Sequence, residues 1–227
     1  MKLNDFETCS NLAEKAYARY PEPEFLVPSL YILLMQDQWD KASRLVKSAL
    51  LKNPSTNWLL MFEAATTVQG YIRLNQSTIR DRSTAVVHAK SAVIAYETAV
   101  QRWGQDKFSV VYPKSMARDL YRIAAVSANR ANQFQEALNF AEKSLTLGWS
   151  YLGCKTKAIQ FLNLGRVQDA LKFIEAAIIK HPSNKKLKAF QKRTVEVIQT
   201  QKQLIGQGAH VSGSKTVPLV LIVVDEN

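Results

Sequence analysis

The feature that most constrains this chain is a recurrence about 33 residues long. Four segments share one pattern: "TCSNLAEKAYARYP" (Thr8–Pro21), "DQWDKASRLVKSALLKNP" (Asp37–Pro54), "NQFQEALNFAEKSLTLGW" (Asn132–Trp149) and "GRVQDALKFIEAAIIKHP" (Gly165–Pro182). In three of them an aromatic residue or Val is followed, two polar residues later, by Ala: Trp39/Ala42, Phe134/Ala137 and Val167/Ala170. Small or apolar residues then follow at helical spacing: Val46 and Ala49, Ala141 and Ser144, Ile174 and Ala177. Pro21, Pro54 and Pro182 end three of the segments, as expected of a residue that cannot continue a helix interior. Pro21 to Pro54 and Ala137 to Ala170 are both 33 residues. Another apolar-periodic helix precedes three of the segments, at Phe25–Met35, Met116–Ala131 and Tyr151–Leu164. Two antiparallel helices in so short a period predict an all-α solenoid, because each unit can bury its apolar face only against its neighbours.

The pattern resembles the tetratricopeptide repeat, a helix–turn–helix unit of about 34 residues with small residues where helices touch, an early aromatic in the second helix and a closing proline. Gly165, Val167, Ala170, Ile174, Ala177 and Pro182 carry the best match, and Trp39, Ala42, Val46, Ala49 and Pro54 the second. Ala125 and Ala158 stand where the family's first helix has its small residue. The resemblance covers residues 5 to about 200 and implies a right-handed superhelix of antiparallel helix pairs. It weakens between Asn57 and Arg118. Asn57–Asn75 and Ser83–Trp103 still read as a pair, with Ala92, Tyr96 and Ala99 in place, but "QSTIRDRS" and "GQDKFSVVYPKS" lengthen the connections. The predicted organisation is a repeat domain over 1–203, with central insertions at about 75–83 and 104–115 and a basic capping helix at about 183–203. A flexible linker over 204–216 and a strand-like tail over 217–227 follow.

The chain ends in "TVPLVLIVVDEN", where Val217, Leu219, Leu221 and Val223 alternate within a β-branched run, which is strand chemistry. An isolated strand needs a backbone partner and cover for its side chains. The tail is therefore expected to dock in its own groove, in a second copy or on the sheet edge of another protein, the last being favoured because a helical solenoid has no sheet edge.

Nothing in the sequence points to catalysis. His88, His181 and His210 stand apart from each other and from Cys9 and Cys154, and no phosphate loop, dinucleotide fingerprint or metalloprotease motif occurs. No cofactor and no metal site are expected, and both cysteines are read as packing residues on repeat faces. No segment is long and apolar enough to span a bilayer as a helix, and the N-terminus has no signal-peptide pattern, so a cytoplasmic location is expected. The net charge of +11 is uneven: 13 Lys/Arg against 11 Asp/Glu in residues 1–113, but 17 against 8 in residues 114–227. The second half is expected to face an acidic partner.

In the family the first helix of each pair lines a concave groove that holds a peptide. On that register Tyr31, Met35, Trp58 and Met61 form an apolar, aromatic end, with packing of Trp58 and Met61 against the insertion as the competing reading. Arg122, Asn129, Arg130, Lys155 and Asn163 form an end suited to carboxylates. Asp119 and Ile123 stand where a chaperone-binding subgroup of the family needs cations, which argues against that specificity. Lys180, Lys185, Lys186, Lys188, Lys192 and Arg193 form a basic patch, read either as phosphate contacts or as the solvated face of a capping helix. The expected function is a non-enzymatic scaffold or adaptor that binds another protein's segment in the groove and joins a larger assembly through its tail. A nucleic-acid-associated protein using the basic half is the alternative.

Overall fold

The structure, a computed structural model, describes residues 3–206. The tail residues Val217, Leu219, Leu221 and Val223 lie outside them, as do residues 207–216 of the expected linker; residues 204–206, expected as linker, instead continue the last helix. The described residues form helices without a strand: α1 (Leu3–Arg19), a 3-10 turn (Pro23–Leu26), α2 (Val27–Met35), α3 (Trp39–Lys52), α4 (Asn57–Ser77), α5 (Arg82–Trp103), α6 (Gln105–Phe108), α7 (Lys114–Arg130), α8 (Phe134–Thr146), α9 (Tyr151–Asn163), α10 (Val167–Lys180) and α11 (Lys185–Gly206). They group into two compact units divided at Leu120/Tyr121, within α7. In the first, α1 packs on α2, α2 on α3, α3 on α4 and α4 on α5. In the second, α8 packs on α9, α9 on α10, and α11 on both α9 and α10.

The backbone repeats along with the sequence. After α2, α7 and α9, one residue turns into the left-handed region: Asp37 (φ 57°), Asn132 (φ 60°) and Gly165 (φ 73°). Each turn carries the same two hydrogen bonds. The next residue's N–H donates five residues back (Gln38 to Leu33, Gln133 to Ala128, Arg166 to Phe161; 2.8–2.9 Å), and the left-handed residue's N–H donates three residues back. This is a Schellman end, which satisfies the last carbonyls of one helix and aims the chain into the next. The prolines also act alike. Asn53 (φ −133°, ψ 65°) and His181 (φ −132°, ψ 61°) leave the helical region just before Pro54 and Pro182, because the proline ring crowds the preceding residue.

The small residues of the pattern sit where helices touch: Ala42, Val46 and Ala49 on α3, Ala125 on α7, Ala137, Ala141 and Ser144 on α8, Ala158 on α9, and Ala170, Ile174 and Ala177 on α10 are all buried. Ala92, Tyr96 and Ala99 on α5 are buried in the same way.

Several expectations change. The first central insertion shrinks to Thr78–Asp81, since residues to Ser77 and from Arg82 are helical. Asp81 caps α5, accepting from the N–H groups of Ser83 (3.2 Å) and Thr84 (3.3 Å) and from both hydroxyls. The second is a packed element: Gln105–Phe108 is helical, and Phe108, Val111 and Tyr112 are buried. The pair Cys9 and Cys154 also divides. Cys154 is buried, where desolvation raises its thiol pKa against the opposing pull of the Trp149 hydrogen bond and Lys157; Cys9 is exposed, so it is no packing residue in this chain.

Candidate functional site

The apolar half of the predicted site assembles in the first unit. Pro28 in the first turn of α2 and the run "VPSLYILLM" make a short, uncharged and mostly apolar helix, whose Ser29, Leu30, Ile32 and Leu33 are buried and whose Tyr31 looks toward α4. On α4, Trp58 and Phe62 lie one turn apart with rings edge to face at 6.0 Å, and Tyr31 meets Phe62 edge to face at 5.2 Å. Tyr31 and Val27 from α2, and Trp58, Met61 and Phe62 from α4, line a cavity of about 260 Å³. Its remaining wall is Lys107, Val110 and Val111, from the segment between α5 and α7. Three of the four predicted residues thus converge. Met35 does not line the cavity and lies 74% exposed at the end of α2.

The insertion forms part of the site rather than hanging over it. Phe108 stacks on Trp103 (6.1 Å, 16°) and on Tyr112 (6.0 Å, 11°), and Tyr112 in turn meets Tyr96 and Trp39. Trp103 donates to Asn57 Oδ1 at 2.7 Å and Tyr96 to Gln105 Oε1 at 2.9 Å. Lys114 pairs with Asp106 at 3.1 Å. With Phe108 and Tyr112 held, the intervening Val110 is left 60% exposed at the cavity. The competing reading, with Trp58 and Met61 against the insertion, anticipates this wall but not its residues. Phe108, Val111 and Tyr112 stand at helical i, i+3, i+4 spacing, a signal masked by the strand-like "FSVVY".

The cavity's electrostatics are simple. Burial raises the pKa of the Tyr31 phenol, which is therefore neutral at ordinary pH and able to donate or accept a hydrogen bond. Lys107 brings the cavity's only charge; its side chain is exposed and no carboxylate among the described residues pairs with it. A second depression of about 280 Å³ runs between α4 and α5, walled by Leu60, Ala64, Thr67, Ala95 and Thr98 with Glu63 and Arg102 at its edges.

The predicted polar half lies in the second unit. Asn163 of α9 donates to Asn129 Oδ1 of α7 at 2.6 Å, so these two amides hold each other across one repeat. The pair is joined by this bond, while the buried Asn163 Oδ1 has no hydrogen-bond partner among the described residues. Arg122 and Lys155 are half-buried on α7 and α9, and Arg130 is exposed at the end of α7. Lys180, Lys185, Lys186, Lys188, Lys192 and Arg193 of the basic patch are all exposed. The opposite face of α11 (Leu187, Phe190, Thr194, Ile198) is buried.

His88 sits 3.2 Å from the Thr78 hydroxyl, and His181 stacks on Trp149 with centroids 3.8 Å apart; His210 lies outside the described residues. No cluster of three or more His, Cys, Asp or Glu side chains able to hold a metal occurs among the described residues. No described helix is long and apolar enough to cross a membrane. No family model, no curated protein and no solved structure matches this chain.

Proposed function

We propose that this chain is a non-enzymatic interaction scaffold, a divergent array of tetratricopeptide-like helix pairs that holds an apolar side chain of a partner protein in the α2/α4 cavity. The cavity of about 260 Å³ carries the reading. Its volume falls below the range of about 300–1,000 Å³ usual for cofactors and drug-sized ligands, and suits a single large side chain. Filling it with a Leu, Ile or Phe side chain contributes about 1.5–3 kcal/mol, enough for an anchor though not for a whole interface. Lys107 and the Tyr31 hydroxyl supply the polar contacts that fix the segment around the anchor, and favour one with a nearby carboxylate. The recurring turn at Asp37, Asn132 and Gly165 supports the repeat reading.

The test is selection from a random peptide display library on the full chain. Selected sequences are expected to share one large apolar residue with an acidic neighbour, and to lose binding at least tenfold to Met61→Arg. Selection of peptides that bind Met61→Arg equally well would contradict the assignment. The tail, with its apolar run ending in Asp225 and Glu226, is on this reading the connector to a larger assembly. Deleting Val217–Asn227 should leave helicity and Tm unchanged while removing the co-purifying partner. A loss of more than about 2 kcal/mol of stability would instead make the tail a structural cover, by the usual value of apolar burial.

A further inference from the structure

The basic patch is not explained by the fold that carries it. Cations stabilise the C-terminal turn of a helix and oppose the N-terminal one, where the exposed N–H groups already carry partial positive charge. Only Lys180 occupies a last turn, that of α10. Lys185, Lys186 and Lys188 crowd the first turn of α11, which contains no acidic residue. Among the described residues, Lys192 alone of the six makes an ion pair, a loose one to Glu196 at 4.0 Å. The α11 N-terminus is capped by Asn184, which accepts from the Leu187 N–H at 2.9 Å, so the helix end is formed and its cations are presented by a fixed scaffold. Burial of Leu187, Phe190, Thr194 and Ile198 on the opposite side fixes which face looks outward. Like charges are thus held together, against the helix dipole, and among the described residues Glu196 is the one carboxylate paired with any of them.

We propose that this face of α11 binds the phosphate backbone of duplex nucleic acid. A row of phosphates meets Lys185, Lys188 and Lys192, which follow one another at i, i+3 and i+7 along one side of the helix, with Lys186 and Arg193 beside them. The other exposed positions of the helix up to residue 200 are Ala189, Glu196, Gln199 and Thr200; Gln199 and Thr200 are of the kind that contacts phosphate and sugar, and Glu196 is the one acidic side chain among them. The face carries no aromatic side chain on which unpaired bases could stack, which selects a duplex over a single strand. Nor does it carry the buried-anchor chemistry of a protein interface. A membrane surface fits less well, since the apolar face that would enter lipid is committed to α9 and α10. This surface is independent of the α2/α4 cavity.

The test titrates the full chain against a random-sequence 20-base-pair DNA duplex across a salt series. With five to six phosphates neutralised, log affinity should fall against log salt with a slope of about −5, close to a thousandfold between about 50 and about 200 mM salt. The Lys185→Gln/Lys186→Gln/Lys188→Gln variant should bind at least tenfold more weakly and flatten the slope by about 3. The corresponding Lys→Arg triple variant should bind like the parent, which separates lost charge from lost structure. A Lys→Gln variant with unchanged slope would overturn the proposal. So would tighter binding to polyglutamate than to the duplex, which would point to an acidic protein, or binding to phosphatidylserine vesicles that outcompetes the duplex.

Discussion

Three residues of unlike chemistry do the same work in this chain. Asp37, Asn132 and Gly165 each adopt the left-handed conformation that ends one helix and launches the next, a conformation that costs side chains with a Cβ about 1–2 kcal/mol. Asp37 offsets it by accepting the Trp39 indole N–H at 2.7 Å, and Asn tolerates the region better than most residues. No atom lies within 4 Å of a Cβ placed on Gly165, so only the backbone resists substitution there. Gly165→Val should therefore lower stability by about 1–2 kcal/mol in denaturant unfolding, whereas Asn132→Gly should not lower it. Asp81 gives a second prediction at this scale. Hydrogen bonds from the Thr84 and Ser83 hydroxyls and the Thr84 N–H hold its pKa down to about 2. A carboxylate whose folded pKa is depressed stabilises above its unfolded pKa and loses that contribution as pH falls toward its folded value. The Tm difference between the parent and Asp81→Asn should accordingly be present at neutral pH and shrink as pH falls from about 4 to about 2. A difference constant across that range would mean the cap acts through shape alone.

At the scale of elements, the sequence carries the helices of the repeat plainly and the connections poorly. Ala42, Ala137 and Ala170 were readable as helix contacts because small residues at repeat spacing have few other uses, and all are buried. Two further helices were readable from period, expected over 83–103 and about 183–203 and found over Arg82–Trp103 and Lys185–Gly206, the second running on into the stretch read as linker. The segment between α5 and α7 was not, because what decides its state is whether α3, α4 and α5 leave a space for Phe108 and Tyr112, a tertiary fact absent from local pattern. The site shows the same division. Tyr31, Trp58 and Met61 followed from register; Lys107, Val110 and Val111 depended on how the insertion folds back. Asn129 and Asn163 followed from register too, but not the hydrogen bond that joins them across facing helices. If the insertion is packed as described, Phe108→Ala should cost about 3–5 kcal/mol, the range for a fully buried aromatic. An open binding loop would give well under 1 kcal/mol.

For the whole molecule, the two units carry different chemistry. Residues 1–120 hold 15 Lys/Arg against 12 Asp/Glu and contain the apolar cavity; residues 121–227 hold 15 against 7 and contain the cationic face of α11. Two surfaces of such unlike character suit two partners, as the proposed scaffold role would require. The claim at the centre of this account is that the α2/α4 cavity is where a partner's side chain is held. Hydrogen–deuterium exchange of the full chain, with and without a display-selected apolar–acidic peptide, tests it most directly. The account predicts slowed exchange at Val27–Met35, at residues 57–62 and at residues 107–111, absent in Met61→Arg. Protection confined to other segments, or protection that persists in Met61→Arg, would contradict it.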